Sequence, residues 1–101
     1  MSRFNLKAYQ NEIAALCKQY KVRQLYAFGS VLTDRFTNES DVDLIVDFEP
    51  IALEEYADNY YDLKFSLENT LEKPIDLLEE QAIKNPFFKE AVASTRELIY
   101  G

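Results

Sequence analysis

Apolar residues return at helical spacing through the first part of the chain. Leu6, Tyr9, Ile13, Leu16, Cys17 and Tyr20 fall on one stripe with Asn5 ahead of them as a cap, which predicts a helix over 6–20. The period changes at Val22: residues 22–28 are rich in β-formers and stop at Gly29-Ser30, the pattern of a short buried strand running into a tight turn. Thr, Asp, Asn and Ser crowd 31–40, predicting a short helical turn plus loop. Strict alternation then follows. Val42, Leu44, Val46 and Phe48 interleave with Asp41, Asp43, Ile45 and Asp47, so 41–48 reads as a strand with one packed face and another that begins with two carboxylates. Pro50, which cannot donate to a ladder, closes it.

A second helix is predicted over 52–71, with Leu53, Tyr56, Ala57, Tyr60, Lys64, Leu67 and Leu71 along its stripe. Lys73-Pro74 breaks it, and Ile75-Asp76-Leu77-Leu78 reads as a short third strand. A last helix over 86–99 takes Pro86 in its first turn and Phe87, Phe88, Ala91, Val92, Thr95, Leu98 and Ile99 as its apolar side. The expected fold is α/β (α+β): one domain over 1–101, with a small mixed sheet of about three strands flanked by helices. No internal repeat, linker or low-complexity segment interrupts it.

Composition narrows the chemistry. With 101 residues, 48% of them apolar, the chain suits one globular core and leaves no room for a second. Its net charge of −7 disfavours long nucleic acids, whose binders gain affinity from a basic face, and fits a protein that gathers divalent cations or meets a basic partner, although solubility alone accounts for it equally well. There is no His, and Cys17 is the single Cys, so an internal disulfide, a Cys/His zinc site and a His-dependent triad are all excluded. On its helical stripe, Cys17 reads as core packing. No stretch approaches the length of a membrane span and the N-terminus lacks the apolar run of a signal peptide, so a cytoplasmic protein is expected.

Side chains at i and i+2 of a strand leave on one face with Cα atoms about 6.5 Å apart, so Asp41 and Asp43 can converge on shared cations. Two such carboxylates repel each other, and hard oxygen ligands without His or Cys point to Mg2+. Gly29 lets the backbone approach a phosphate closely, and the following N–H groups with the Ser30 hydroxyl can donate to its oxygens. Ten residues join this turn to the acids, an arrangement suited to attack on an α-phosphate. Asp76 is the natural third carboxylate, because the alternation that buries Ile75 and Leu77 turns it to the other face; Asp47 ranks below it. Taken singly, each acid would read as solvated, and it is the combination that marks a site. Arg35 and Lys64 read equally well as surface charges, the acidic run 54–62 as a solvated face, and Tyr61 with Phe65 as cover for a core edge rather than a partner patch.

The run Gly29-Ser30, ten residues, Asp41-Val42-Asp43-Leu44, then a helix and a later strand carrying Asp76, resembles the polymerase-β-type nucleotidyltransferase superfamily. The short length is similar to its minimal (MNT) branch. The motifs span residues 22–78 and the element order nearly the whole chain. By position, the resemblance implies a nucleotidyltransferase fold in which Gly29 and Ser30 hold the triphosphate of ATP. Asp41 and Asp43 then ligate Mg2+, and Asp76 completes the site as ligand and general base. One departure stands out: many minimal members carry Arg-Gly a few residues after the Ser, where this chain has Thr33-Asp34 and then Arg35, the remaining candidate for phosphate.

A core that stops at Gly101 leaves acceptor selection to another chain or to self-association as a homo-oligomer. The resemblance implies a helical HEPN partner, in a toxin–antitoxin pair where AMP is added to a toxin tyrosine. A binding antitoxin that masks its partner sterically is the rival expectation. A small-molecule transferase, lacking any acceptor domain, ranks third.

Overall fold

The computed structural model describes residues 5–32 and 41–101, without the side chain of Ser30. Thr33, Asp34 and Arg35, and most of the turn and loop expected over 31–40, lie outside the described residues.

Asn5 accepts from the Lys7 amide at 3.1 Å and starts a 3-10 turn, Leu6–Tyr9, that leads into α1 (Gln10–Gln19). Strand β1 (Val22–Phe28) follows, then a 3-10 turn (Gly29–Leu32) and β2 (Val42–Phe48). Helix α2 (Leu53–Leu71) crosses back to β3 (Ile75–Glu79), and α3 (Pro86–Thr95) leads to β4 (Glu97–Tyr100). The sheet order is β3-β2-β1-β4; β2 and β3 are parallel, and β1 is antiparallel to both β2 and β4. The sheet is mixed, as expected, with one strand more than the three predicted.

That extra strand corrects the expected last helix. Arg96 is extended (φ −65°, ψ 150°), and residues 97–100 pair with β1 instead of continuing α3. Phe88, Val92, Thr95 and Ile99 fit a helical stripe, but Leu98-Ile99-Tyr100 are also β-formers. The open edge of β1 supplies ladder partners that a further helical turn would leave unmet. Of the apolar side expected for α3, only Val92 is buried, and Phe87 is 83% exposed.

One face of the sheet carries the core. Val42, Leu44 and Val46 of β2 pack with Leu25 and Ala27 of β1 and Ile75 and Leu77 of β3, beneath Ile13 and Cys17 of α1 and Leu63, Leu67 and Leu71 of α2. The α2 stripe is rotated from the expected one. Leu63 is the buried member in place of Lys64, Tyr56 and Tyr60 are half-buried, and Leu53 is 88% exposed. A helix of 19 residues is roughly 28 Å long, against roughly 23 Å for a strand of seven, so its first turn overhangs the sheet. Cys17 is fully buried and its thiol pKa is pushed up to about 12 by that burial, in keeping with core packing. Tyr61 and Phe65 are 53% and 56% exposed and stack on each other, and Tyr61 meets edge-on the ring of Tyr60, which packs against the core, so the pair sits at the core's rim with about half its surface in solvent. No helix among the described residues is long and apolar enough to cross a membrane.

Candidate active site

The other face of the sheet is divided along β2. Ile45 is fully buried there beside Val92 of α3, whereas Asp43, two residues earlier, lies toward the open end. Strand alternation puts Asp41, just ahead of β2, on the Asp43 side, because Val42 between them is wholly in the core.

Registry brings the distant acid in. The Val42 amide donates to the Pro74 carbonyl at 3.0 Å, and the parallel ladder then sets Asp43 opposite Asp76. Asp76 is exposed on the outward side of a strand whose Ile75 and Leu77 are buried, as the alternation predicted. Burial raises the Asp43 carboxyl above the ordinary range, and the charges of Asp76 and then Asp41 raise it further. Asp43 therefore feels the charge of an acid on its own chain segment and of one on the neighbouring strand.

Gly29 completes the enclosure from the other side. Phe28 pairs with Asp43 in the antiparallel ladder, so the next residue lies against the Asp43 side chain. Gly29 has φ +76°, and a Cβ on it would stand 2.6 Å from Asp43 Oδ2, so any other residue would be strained in its backbone and would push the Asp43 carboxylate aside. Ser30 follows in the same 3-10 turn, and Arg35 is outside the described residues.

Asp47 belongs elsewhere. It pairs in register with Gln24 and lies 3.7 Å from Arg23, at the far end of β2. Lys64 sits on α2, on the core side of the sheet, 3.9 Å from Glu68. Sequence reasoning also missed a cluster bordering the buried half of the acid face, where Arg96 bonds Glu80 at 2.6 Å and lies 3.9 Å over the Tyr26 ring. No sequence signal could have assembled it, since Arg96 was placed inside a helix. Tyr60, read as a core residue, donates its hydroxyl to the Leu77 carbonyl and is held protonated by burial, with Tyr61, Asp76 and Glu79 reinforcing that.

Among the described residues, no three His, Cys, Asp or Glu side chains stand close enough together to hold a metal ion by themselves. The donor set nevertheless fits Mg2+ in its usual mode of one or two carboxylates, with water and phosphate oxygens for the rest. It is all hard oxygen, and it carries surplus negative charge that is relieved when a cation arrives.

The family model for polymerase beta, nucleotidyltransferase, matches residues 11–101. The chain is 34% identical over 86 residues to the Methanocaldococcus jannaschii protein MJ0126, provisionally named a protein adenylyltransferase, covering 84% of this chain and 82% of that protein. A solved structure provisionally named a minimal nucleotidyltransferase matches with a TM-score of 0.76 at 27% identity, covering 91% of this chain and 90% of that one. The fold is shared, at TM-score 0.64 and 19% identity, with a chain of the Shewanella oneidensis complex between a tri-AMPylated HEPN toxin and an MNT antitoxin. That match covers 94% of this chain and 71% of the other.

Proposed function

Because this chain belongs to the polymerase-β nucleotidyltransferase family, we propose that it transfers AMP from ATP to a hydroxyl of a partner protein, as the antitoxin of a HEPN/MNT pair. The observation that carries the proposal is the register of Asp43 with Asp76 on neighbouring strands, with Gly29 pressed against Asp43. The provisional name of MJ0126 supports protein as the acceptor, and the tri-AMPylated toxin of the Shewanella complex supports AMP as the group moved and HEPN as the partner.

In this mechanism Gly29 and Ser30 receive the triphosphate through their backbone, the glycine allowing the close approach. Asp41, Asp43 and Asp76 would supply Mg2+ with one or two carboxylates at a time, phosphate oxygens and water completing its shell, and the bound ion would neutralise phosphate charge and stabilise the leaving pyrophosphate. Asp76, exposed and next to Asp43, accepts the proton of the acceptor hydroxyl. The hydroxyl oxygen forms its bond to the α-phosphorus as the bond to the pyrophosphate oxygen breaks, giving AMP-protein and pyrophosphate. Arg35 is assigned to phosphate by its sequence position. The half-buried setting of Asp43 keeps one acid partly shielded from water, where its charge acts more strongly on the phosphates.

The test is direct. The full chain is incubated with Mg2+, α-labelled ATP and the protein encoded beside it; label should appear on that protein and be lost with Asp43→Asn. Absence of transfer by correctly folded wild type from any nucleoside triphosphate would defeat the proposal. If an Asp41→Asn, Asp43→Asn double variant still neutralises the partner, steric masking replaces catalysis as the antitoxin mechanism.

A further inference from the structure

Asp76 lies on β3, an edge strand, and an edge strand has a ladder on one side only. The bond from the Val42 amide to the Pro74 carbonyl shows which way the backbone alternates. Pro74 and Asp76 turn their polar groups toward β2, so Ile75 and Leu77, on either side of Asp76, turn theirs away from the sheet. Those outward groups are the ones α2 reaches. Glu68 Oε2 accepts from the Ile75 amide at 3.2 Å, and the Tyr60 hydroxyl donates to the Leu77 carbonyl. Lys64, one turn earlier on α2, lies 3.9 Å from the same Glu68 oxygen. Further along the same seam, the Tyr56 hydroxyl donates to the Glu79 side chain.

We propose that Tyr60 and Glu68 are positioning residues for Asp76: through the outward backbone groups of Ile75 and Leu77, α2 stands in for the missing neighbour strand and keeps Asp76 level with Asp43. The inference deepens the functional reading above and rests on it. The two side chains grip β3 immediately before and immediately after the acid, so the height of Asp76 along the sheet is fixed from both sides of the strand. A β3 held by β2 alone would retain its fold and its core residues while the acid at its exposed end drifted relative to Asp43. Outer groups that orient metal ligands typically control affinity or activity by roughly 10- to 100-fold.

The experiment compares full-length wild type with Tyr60→Phe, Glu68→Leu and the double variant. Folding is checked by circular dichroism, binding of Mn2+ alone by electron paramagnetic resonance, and AMP transfer by steady-state kinetics. The double variant should bind Mn2+ roughly tenfold or more weakly, and its kcat should fall by a similar factor. Its KM for ATP should stay within about twofold of wild type, because the triphosphate is held from the β1 side. Glu68→Gln, which keeps an acceptor oxygen for the Ile75 amide, should restore most of the loss seen with Glu68→Leu. Tyr56→Phe, on the same seam but away from Asp76, should leave Mn2+ binding unchanged. Should the double variant fail to fold, the isosteric Tyr60→Phe carries the comparison. A folded variant with wild-type Mn2+ affinity and kcat overturns the inference, as does a Tyr56→Phe effect equal to that of Tyr60→Phe. A wild type that neither binds Mn2+ nor transfers a nucleotide sinks the functional reading, and this inference with it.

Discussion

Replacing Gly29 with alanine tests the site at its tightest point. The added Cβ meets Asp43 Oδ2 at 2.6 Å, so the carboxylate must retreat by about 0.8 Å to reach ordinary van der Waals contact, and the backbone stays at φ +76°, where an L side chain is strained. The left-handed conformation alone costs about 1–2 kcal/mol. For a domain of this length that lowers Tm by about 5–10 °C. A displaced Asp43 should also reduce AMP transfer, by up to about a hundredfold for a shift approaching 1 Å. Gly101→Ala is the matched control: at φ +119° its Cβ would approach the Arg23 carbonyl at 2.7 Å, so it should lose stability while turnover per folded molecule persists. Calorimetric Tm and single-turnover transfer, measured on both variants, separate the two effects. A Gly29→Ala protein with wild-type Tm, or with a lowered Tm and wild-type turnover, would refute the reasoning.

The raised Asp43 pKa makes a signed prediction. A carboxyl whose folded pKa lies above its unfolded value binds its proton more tightly when folded, so its penalty is absent in acid, grows as pH rises from the ordinary carboxylate value to the raised one, and is complete above that. Asp43→Asn should therefore stabilise the metal-free protein at neutral pH, by about 0.2–0.5 kcal/mol once solvent screening of this part-exposed group is allowed for. The gain should vanish at low pH and be reversed or erased by Mg2+; urea titrations at several pH values would show it, and a variant less stable than wild type at neutral pH would contradict it. Cys17, buried and with its thiol pushed up to about 12, should resist iodoacetamide in the native protein at pH 8 and react only on unfolding. Mass spectrometry that finds rapid native alkylation would place Cys17 at the surface.

Most of what positions the acids could be read before the structure. The strict alternation around Asp43 and the apolar neighbours of Asp76 fixed which way each side chain turns, because the period of a strand is exact over a few residues. Whether β3 would lie beside β2, and in parallel, was a conditional statement until the ladder set Asp43 against Asp76. Helical phase was less secure. Over the 19 residues of α2, two adjacent stripes both contain Leu67 and Leu71, and only packing on the sheet selected Leu63 over Lys64. The end of α3 was beyond local information, since Leu98 and Ile99 serve a helix or a strand equally and the open edge of β1 decided between them. Gly29 was marked for phosphate approach, but the close contact that a side chain there would meet, Asp43 Oδ2, comes from the other strand.

Helix α3 is moored to the sheet mainly by Val92 over Ile45, with Phe28 edge-on to Phe88 and Arg96 over Tyr26 as lighter ties. Lifting it exposes little that was dry, whereas lifting α2 would strip Leu63, Leu67 and Leu71 from the core. The molecule thus has one hard side and one soft side, and its acids open onto the soft one. A local excursion of these ten residues would leave the core cluster under α2 undisturbed.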